Sequence, residues 1–389
     1  MSKSSDAGHF FQTTSALNET ARKAQKAKNK KGNPIKLPSK ILAVVSDPKD
    51  GGHVFVAEAA GNVKRIKLET GDILATYSGP TAPLTSIALS PTSDTVFAGC
   101  WDKTIWSWSI SSRKPSRRFQ GHTDFVKALL ALALQGKELL VSGSADATII
   151  IWDIASGSKL HTLKGHSRGI LALALDPTPS SDSNENEEEV IFFSAGTDRE
   201  IHRWTLTSSS AAEIPSTDDV PSPLIRHETS IDSLFFDADA DADLWTASKD
   251  KTVKCLSRAT NWEEDTSLEH PDYVLDVVVD EVGGHVVTAC RDEEVRVFDK
   301  GTGKLVHVFS GHYEEVTGLV LLDGQKVVSV SIDGTVRQWS LKAPDLAKAI
   351  QEAEDERAGK GEDKVEEKKE SLLTAEEEAE LAELMGDSD

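Results

Sequence analysis

Residues 121–153, GHTDFVKALLALALQGKELLVSGSADATIIIWD, decide the fold of this 389-residue chain. The stretch holds a Gly-His pair, two apolar runs, a turn around Asp146 and a closing Trp152-Asp153. Its apolar runs are short and bounded by turn residues, which is the pattern of β-strands. This stretch and the residues after it therefore predict four strands, near residues 126–134, 138–142, 148–152 and 159–163.

The closing part of this stretch recurs along the chain. Aligned without gaps, its turn position falls at intervals of 41 to 52 residues, on Ala60, Asp102, Asp146, Asp198, Asp250, Asp292 and Asp333. Six residues after each turn position stands a large apolar residue: Ile66, Trp108, Trp152, Trp204, Leu256, Phe298 and Trp339. A regular period of this size indicates a repeat protein in which each unit is one small sheet.

The pattern GH…SGSADATIIIWD resembles the repeat of the WD40 family. The resemblance implies an all-β fold, a seven-bladed β-propeller that covers residues 34–341. The last repeat lacks a fourth strand, and we expect residues 34–37 to supply it from the other end of the repeat array. Such closure removes exposed sheet edges, and proline is tolerated on an outermost strand.

The resemblance also implies a hydrogen-bonded network in each blade, made by a His, a Ser or Thr, the turn Asp and a third-strand Trp. Such donors are needed because burying an unpaired carboxylate costs several kcal/mol. Three repeats carry the full set: His122, Ser142, Asp146 and Trp152; His166, Ser194, Asp198 and Trp204; His312, Ser329, Asp333 and Trp339. Repeats 5 and 6 keep the His, Thr and Asp but have Leu256 and Phe298 in place of Trp.

Charge divides the chain into three parts. The net charge is -21, yet residues 1–40 hold nine Lys/Arg against two Asp/Glu, and residues 341–389 hold seven against seventeen. Residues 1–33 are therefore a basic N-terminal arm, either disordered or a short helix from Ala16 to Gly32. Residues 342–389 are an acidic tail, with helices expected near residues 345–358 and 375–385.

The acidic body repels nucleic acid, so direct binding of DNA or RNA is expected only through the basic arm. Three roles for the arm stay open. It binds RNA, it carries a nuclear localisation signal at residues 26–31, or it folds against its own acidic body. The chain has no apolar run long enough for a membrane span and no signal-peptide pattern at its N-terminus. We expect a cytoplasmic or nuclear protein that is monomeric outside its complexes.

No catalytic, cofactor or metal site is predicted. The histidines and turn aspartates recur once per repeat, so they are read as structural. Cys100, Cys255 and Cys290 have neither disulfide nor zinc spacing and are read as packing residues in a reducing compartment. Residues 237–243, DADADAD, begin like a calcium loop. They lack its later glycine and glutamate, since Ala242 and Ser248 stand there, so a solvated hairpin tip is the favoured reading over calcium binding.

Binding surfaces remain as the functional candidates. By the resemblance, the narrower face of the propeller carries the loops before the first strands and the turns between the second and third strands. Exposed aromatic and arginine side chains are the types that most often dominate binding energy. The candidate partner-binding residues on this face are Trp101, Asp124, Phe125, Arg168, Lys249, Tyr273, Arg291, Tyr313 and Glu314.

The tail offers a second candidate. A capping box at residues 374–377 precedes a stretch in which Leu381, Leu384 and Met385 would share one helix face, as in helices that dock into grooves. The alternative reading of the tail is a solvated acidic segment. Together these features predict a non-catalytic scaffold or adaptor that docks partner proteins or peptides on its narrow face and through its tail. The alternative is a dedicated chaperone or assembly factor for a basic client, a ribosomal protein or histone, for example in ribosome biogenesis.

Overall fold

The computed structural model describes residues 14–92, 94–178, 188–239, 241–323 and 325–358. The expected second tail helix, with Leu381, Leu384 and Met385, and most of the 177–189 loop lie outside these ranges. The chain divides into two units, residues 1–342 and 343–389. The described part of the second unit holds one helix, α2 (Ala343–Arg357), with Pro344 in its first turn, where a missing N–H costs nothing.

Across the described ranges of the first unit, 29 strands form seven sheets, and the fold is the predicted seven-bladed β-propeller. It begins with helix α1 (Thr14–Lys26) and strand β1 (Ile35–Lys36). Blade one consists of β2 (Ile41–Ser46), β3 (His53–Glu58), β4 (Val63–Lys67) and β5 (Ile73–Tyr77). Blade two consists of β6 (Leu84–Leu89), β7 (Thr95–Cys100), β8 (Thr104–Ser109) and β9 (Pro115–Gln120). Blade three consists of β10 (Val126–Leu134), β11 (Lys137–Ser144), β12 (Thr148–Asp153) and β13 (Lys159–Lys164).

Blades four to seven continue the series. They are β14 (Ile170–Leu175), β15 (Val190–Gly196), β16 (Glu200–Leu206), β17 (Ala211–Glu213), β18 (Leu224–Ile225); β19 (Ile231–Phe236), β20 (Leu244–Ser248), β21 (Thr252–Ser257), β22 (Glu263–Glu269); β23 (Val274–Asp280), β24 (His285–Cys290), β25 (Glu294–Asp299), β26 (Leu305–Ser310); β27 (Val316–Leu322), β28 (Lys326–Ser331), β29 (Thr335–Ser340). All pairs within the blades are antiparallel, and neighbouring blades share apolar clusters such as the one that joins Val141 and Ile151 to Phe192 and Trp204.

A β-bulge recurs at the start of every first strand. In blade three the register shifts between Val126 and Ala128, and the same shift occurs in the other six blades. A bulge leaves one residue out of the hydrogen-bonded ladder and re-aims its side chain. The seven bulge residues are Leu42, Thr85, Lys127, Leu171, Asp232, Leu275 and Thr317, and all of them line one cavity of about 210 Å³ at the propeller axis.

The first and last strands of the propeller pair with each other. Ile35 lies opposite Val336 and Lys36 opposite Thr335, so β1 is the outer strand of blade seven. The preceding residues follow the same blade, since the amide of Gln338 donates to the Gly32 carbonyl at 2.8 Å. Helix α1 ends at Lys26, so the expected helix to Gly32 was too long at its end. Residues 27–33 instead give backbone groups to blade seven, and these long-range contacts prevail over helix propensity.

Blade four has a divided outer strand. The sequence predicted a long link over residues 207–224, but β17 lies within it and pairs with one end of β16, while β18 pairs with the other end. Between them stand Pro215, Pro221 and Pro223, which have no N–H to donate to a ladder. The prolines therefore account for the gap in the strand.

Candidate functional site

The predicted polar networks come together in three blades. In blade three, His122 Nδ1 lies 3.0 Å from Asp146 and its Nε2 lies 2.8 Å from Ser142 Oγ. The Trp152 indole N–H donates to the same Ser142 hydroxyl at 2.8 Å. The corresponding distances are 2.9, 2.7 and 2.7 Å for His166, Asp198, Ser194 and Trp204, and 3.0, 2.8 and 2.9 Å for His312, Asp333, Ser329 and Trp339.

The remaining blades keep only parts of this arrangement. In blade six, His270 Nε2 reaches Thr288 at 2.8 Å, but its Nδ1 lies 3.1 Å from the Leu268 carbonyl and not on the turn Asp. Arg296 takes that place, with both guanidinium nitrogens on Asp292 at 3.0 and 2.5 Å. The arginine satisfies the carboxylate and leaves the histidine to a backbone partner.

Burial sets the protonation of these histidines. It lowers the pKa of His122 and His312, although the neighbouring Asp carboxylates raise it in part. In blade six, burial and the Arg296 charge lower the pKa of His270 to about 4. A neutral, enclosed imidazole with both nitrogens bonded holds strands together and has no room for a substrate.

The narrow face is defined by topology. Each first strand begins where the antiparallel second strand ends and the third begins, so the loops before the first strands and the second-to-third turns lie on one side. Trp101 and Phe125 meet there, with ring centroids 5.0 Å apart and planes inclined by 15°, and Trp101 is 39 % exposed. The Lys127 ammonium lies over both rings, 5.2 and 5.9 Å from their centroids.

Charged bulge residues extend this patch towards the axis. Asp232 pairs with Lys249 at 2.9 Å. Burial lowers the pKa of Lys127, and the nearby Lys249 charge lowers it further. Neither Lys127 nor Asp232 was among the predicted site residues. The available signal was a lone charge within an apolar first strand, in VKALLALAL and IDSLFF.

The other predicted residues of this face have varied surroundings. Arg291 lies over the Tyr273 ring at 5.2 Å and pairs with Glu315 at 3.1 Å, while Arg168 is exposed. The Tyr313 hydroxyl donates to the Asp333 carbonyl at 3.0 Å. Asp124 accepts from the amide of Phe125 at 2.8 Å and so shapes its own loop.

Glu314 contacts the basic arm of its own chain. Lys23 of α1 lies 2.9 Å from it, and Lys26 lies 2.7 Å from Glu293 and 2.9 Å from Glu294. We call Glu293, Glu294 and Glu314 the arm-binding patch. Folding against the acidic body is thus the arm arrangement present in the structure.

The sequence suggested a solvated hairpin tip at residues 237–243, but the segment is only partly exposed to solvent. Asp237 is buried, and Lys300 lies 3.0 Å from it and 2.8 Å from Glu281, with Asp239 also in contact. Lys300 comes from the adjacent blade six, so sequence periodicity does not reveal the pairing. Its ammonium supplies the positive charge that a calcium ion would have brought.

Within the described ranges, no helix is both long and apolar enough to cross a membrane. The three cysteines are buried free thiols. Burial raises the pKa of Cys100 to about 11 and that of Cys255 and Cys290 to about 12, so these thiols are protonated near neutral pH.

Comparisons with known proteins agree with this architecture. The family model for the WD domain, G-beta repeat, matches residues 71–109, 113–153, 157–205 and 303–340. An uncharacterized WD repeat-containing protein of Schizosaccharomyces pombe is 35% identical, with 97% of this chain and 98% of the relative covered. Telomerase protein component 1 of Mus musculus is 26% identical over 69% of this chain but only 10% of its own length. The nuclear distribution protein PAC1 of Gibberella zeae is 25% identical, with 67% and 59% covered.

Proposed function

The chain belongs to the WD40-repeat family, and from that we propose that it is a non-catalytic scaffold whose narrow face binds a partner protein. Propellers of this family generally act as protein-interaction scaffolds and are generally non-catalytic. A closed propeller is rigid, so its face meets a partner at little cost in ordering.

The stacked pair Trp101 and Phe125 is the observation that carries the proposal. The exposed tryptophan ring is already held against a second ring, so its side chain loses little conformational freedom when a partner covers its apolar surface. The Lys127 ammonium over the pair and Arg168 in the next blade add positive charge. We therefore propose a partner segment in which an apolar side chain stands next to a carboxylate.

The test is affinity capture with the full chain and two matched variants. Trp101→Ser removes the exposed ring from the narrow face. Leu160→Ser removes an equally exposed apolar side chain (45 %, against 39 %) from the outer strand β13. A partner that is lost with Trp101→Ser and kept with Leu160→Ser supports the proposal. Equal capture by both variants contradicts it.

A second candidate function follows from the arm-binding patch. Because Glu293, Glu294 and Glu314 already hold a basic helix of the same chain, the patch can hold a basic client segment in its place. We propose this as the route by which the chain would act as a carrier or assembly factor for a basic protein. Binding of a basic peptide that falls steeply with salt, and strengthens when residues 1–26 are deleted, would support it. Binding unaffected by that deletion would argue against it.

The tail face with Leu381, Leu384 and Met385 remains a proposed third contact, tested by capture with a chain that ends at residue 358. For location, three buried and reduced thiols support a reducing compartment, and we propose the cytoplasm or nucleus. We also propose a monomer outside its complexes, which light scattering on the purified chain would test.

A further inference from the structure

Blade four combines two residues in its third strand that occur together in no other blade, although blade six shares a glutamate, Glu294, at the first position. Two residues after the turn Asp stands Glu200, where blades two, three, five and seven have a threonine. In blade three that threonine, Thr148, donates to Asp146 at 2.6 Å. Two residues further on stands His202, where the other blades have Lys64, Trp106, Ile150, Lys254, Arg296 and Arg337. Blade four thus exchanges a donor for a second carboxylate and adds a second imidazole.

The two substitutions complete a four-residue cluster with His166 and Asp198. One nitrogen or oxygen atom from each side chain lies within 4.8 Å of the others. His166 Nδ1 is 2.9 Å from Asp198 Oδ2, and His202 Nε2 is 3.2 Å from Glu200 Oε2. In a tetrahedral zinc site with bonds of about 2.0–2.2 Å, neighbouring ligand atoms are about 3.4 Å apart. Small side-chain shifts would therefore give this geometry.

In each imidazole, the nitrogen that does not face Asp198 or Glu200 already has an oxygen partner. His166 Nε2 is 2.7 Å from Ser194 Oγ, and His202 Nδ1 is 2.7 Å from Glu213 Oε1. Histidines that bind metals use the second nitrogen in this way, which fixes the ring and its tautomer. Glu213 comes from β17, the short strand that makes blade four unlike the others.

We propose that His166, Asp198, Glu200 and His202 bind one Zn²⁺ ion in blade four. Two imidazole nitrogens and two carboxylates are ligands suited to zinc, whereas calcium prefers oxygen alone. In the bound state each imidazole is neutral, with one nitrogen on the ion and the other N–H donated to Ser194 or Glu213. The Glu200 side chain is 26% exposed, which leaves a path from solvent. Asp198 also accepts the backbone N–H groups of Ser167 and Arg168, at 3.0 and 3.4 Å, so the site adjoins the loop that carries the narrow-face residue Arg168.

The test uses the full chain after treatment with a chelator and desalting. Zn²⁺ affinity and stoichiometry are measured by competition with a chromophoric chelator, and Co²⁺ is added separately to detect the visible bands of a tetrahedral site. The double variant Glu200→Thr/His202→Ile carries the residues of blade three, Thr148 and Ile150, at the same positions. It should therefore fold. His53→Gln in blade one controls for loss of any histidine.

The wild type and His53→Gln should each bind one equivalent of Zn²⁺. Glu213→Gln, which changes only an outer partner, should weaken binding about 10- to 100-fold, and the double variant should weaken it more. Cooperative thermal unfolding shows that each variant is folded, and Glu213→Gln remains informative should the double variant fail. No stoichiometric zinc in the wild type, or equal affinity in wild type and Glu213→Gln, would overturn the proposal.

Discussion

Both terminal guanidinium nitrogens of Arg22 donate to the Glu293 carboxylate, at 2.8 and 2.6 Å, although the two residues are 271 positions apart in the sequence. The Glu293 side chain is only 7% exposed, and Lys26 also contacts it. Because the carboxylate is nearly buried, losing its cations would leave a charge in an unfavourable place. The basic arm is therefore a structural part of blades six and seven, in addition to any role with partners.

Removing the arm's cations should free helix α1. In Arg22→Ala/Lys26→Ala, the loss of charge-assisted hydrogen bonds to Glu293 should speed hydrogen exchange of the α1 amides to nearly unprotected rates. Because Glu293 is nearly buried and would lose both of its cations, the free energy of global unfolding should also fall. Lys30→Ala, an exposed lysine of the same arm, is the control. Unchanged α1 protection in the double variant would contradict the assignment.

The Ser142 hydroxyl should matter far more than its size suggests. Ser142→Ala leaves the His122 ring and the Trp152 indole without their shared partner in a fully buried place. Each unsatisfied buried group costs about 1–3 kcal/mol, so we expect about 3 kcal/mol less stability in urea unfolding. Ser156→Ala, on the exposed turn of the same blade, should stay within about 0.5 kcal/mol of wild type. Equal effects of the two changes would show that the network contributes little.

His270 should make stability depend on pH. Its folded pKa of about 4 lies below the ordinary histidine value of about 6.5, so the unfolded chain binds the proton first as the pH falls. Stability from this group is complete above pH ~6.5 and declines by up to about 3 kcal/mol as the pH approaches 4.

Burial raises the pKa of Asp276 to about 6, so protonation of this group increases stability as the pH falls, opposite to the effect of His270. The comparison must therefore be made with a variant that keeps Asp276. We expect His270→Gln to lose less stability than wild type between pH 7 and pH 5 in urea unfolding. Parallel losses in the two proteins would remove His270 as the cause.

Gly32 should tolerate no side chain. Its φ of +71° is in the left-handed region, and a Cβ would lie 2.7 Å from the Trp339 ring. Gly136 has a similar φ of +75° but open space around it. Gly136→Ala thus measures the backbone cost, about 1 kcal/mol, and Gly32→Ala should cost clearly more in thermal unfolding. Equal costs would mean that the contact with Trp339 relaxes freely.

The repeat period made the blades predictable, because residues such as Asp146 and Trp152 recur at fixed positions whatever their neighbours. The third-strand run IIIWD also indicated burial directly. Side-chain pairs between repeats were not predictable in this way. Lys300 of blade six reaches Asp237 of blade five because the two lie close in three dimensions, and the repeat spacing does not reveal that contact. Within blade six, Arg296 displaces His270 from Asp292, and the repeat pattern had indicated only the histidine contact.

The candidate site was only partly predictable for a related reason. Trp101 and Phe125 were identifiable as unusual residues at loop positions. The direction in which the Lys127 side chain points depends on a β-bulge that shifts the register between Val126 and Ala128. No residue type in that segment indicates the bulge. The docking of Lys23 and Lys26 on acidic residues was one of three open roles for the arm, and composition alone could not select it.

The pairing of Ile35 and Lys36 with β29 also constrains how the protein is made. The ribosome synthesises β1 early, and its partner strand β29 follows about 300 residues later. At typical rates of roughly 5–20 residues per second, this delay is on the order of 15–60 s. During that interval the nascent chain holds a growing stack of blades whose two ends are unjoined. A messenger truncated before residue 335 would yield a polypeptide with an open sheet edge, a natural substrate for chaperones and proteases.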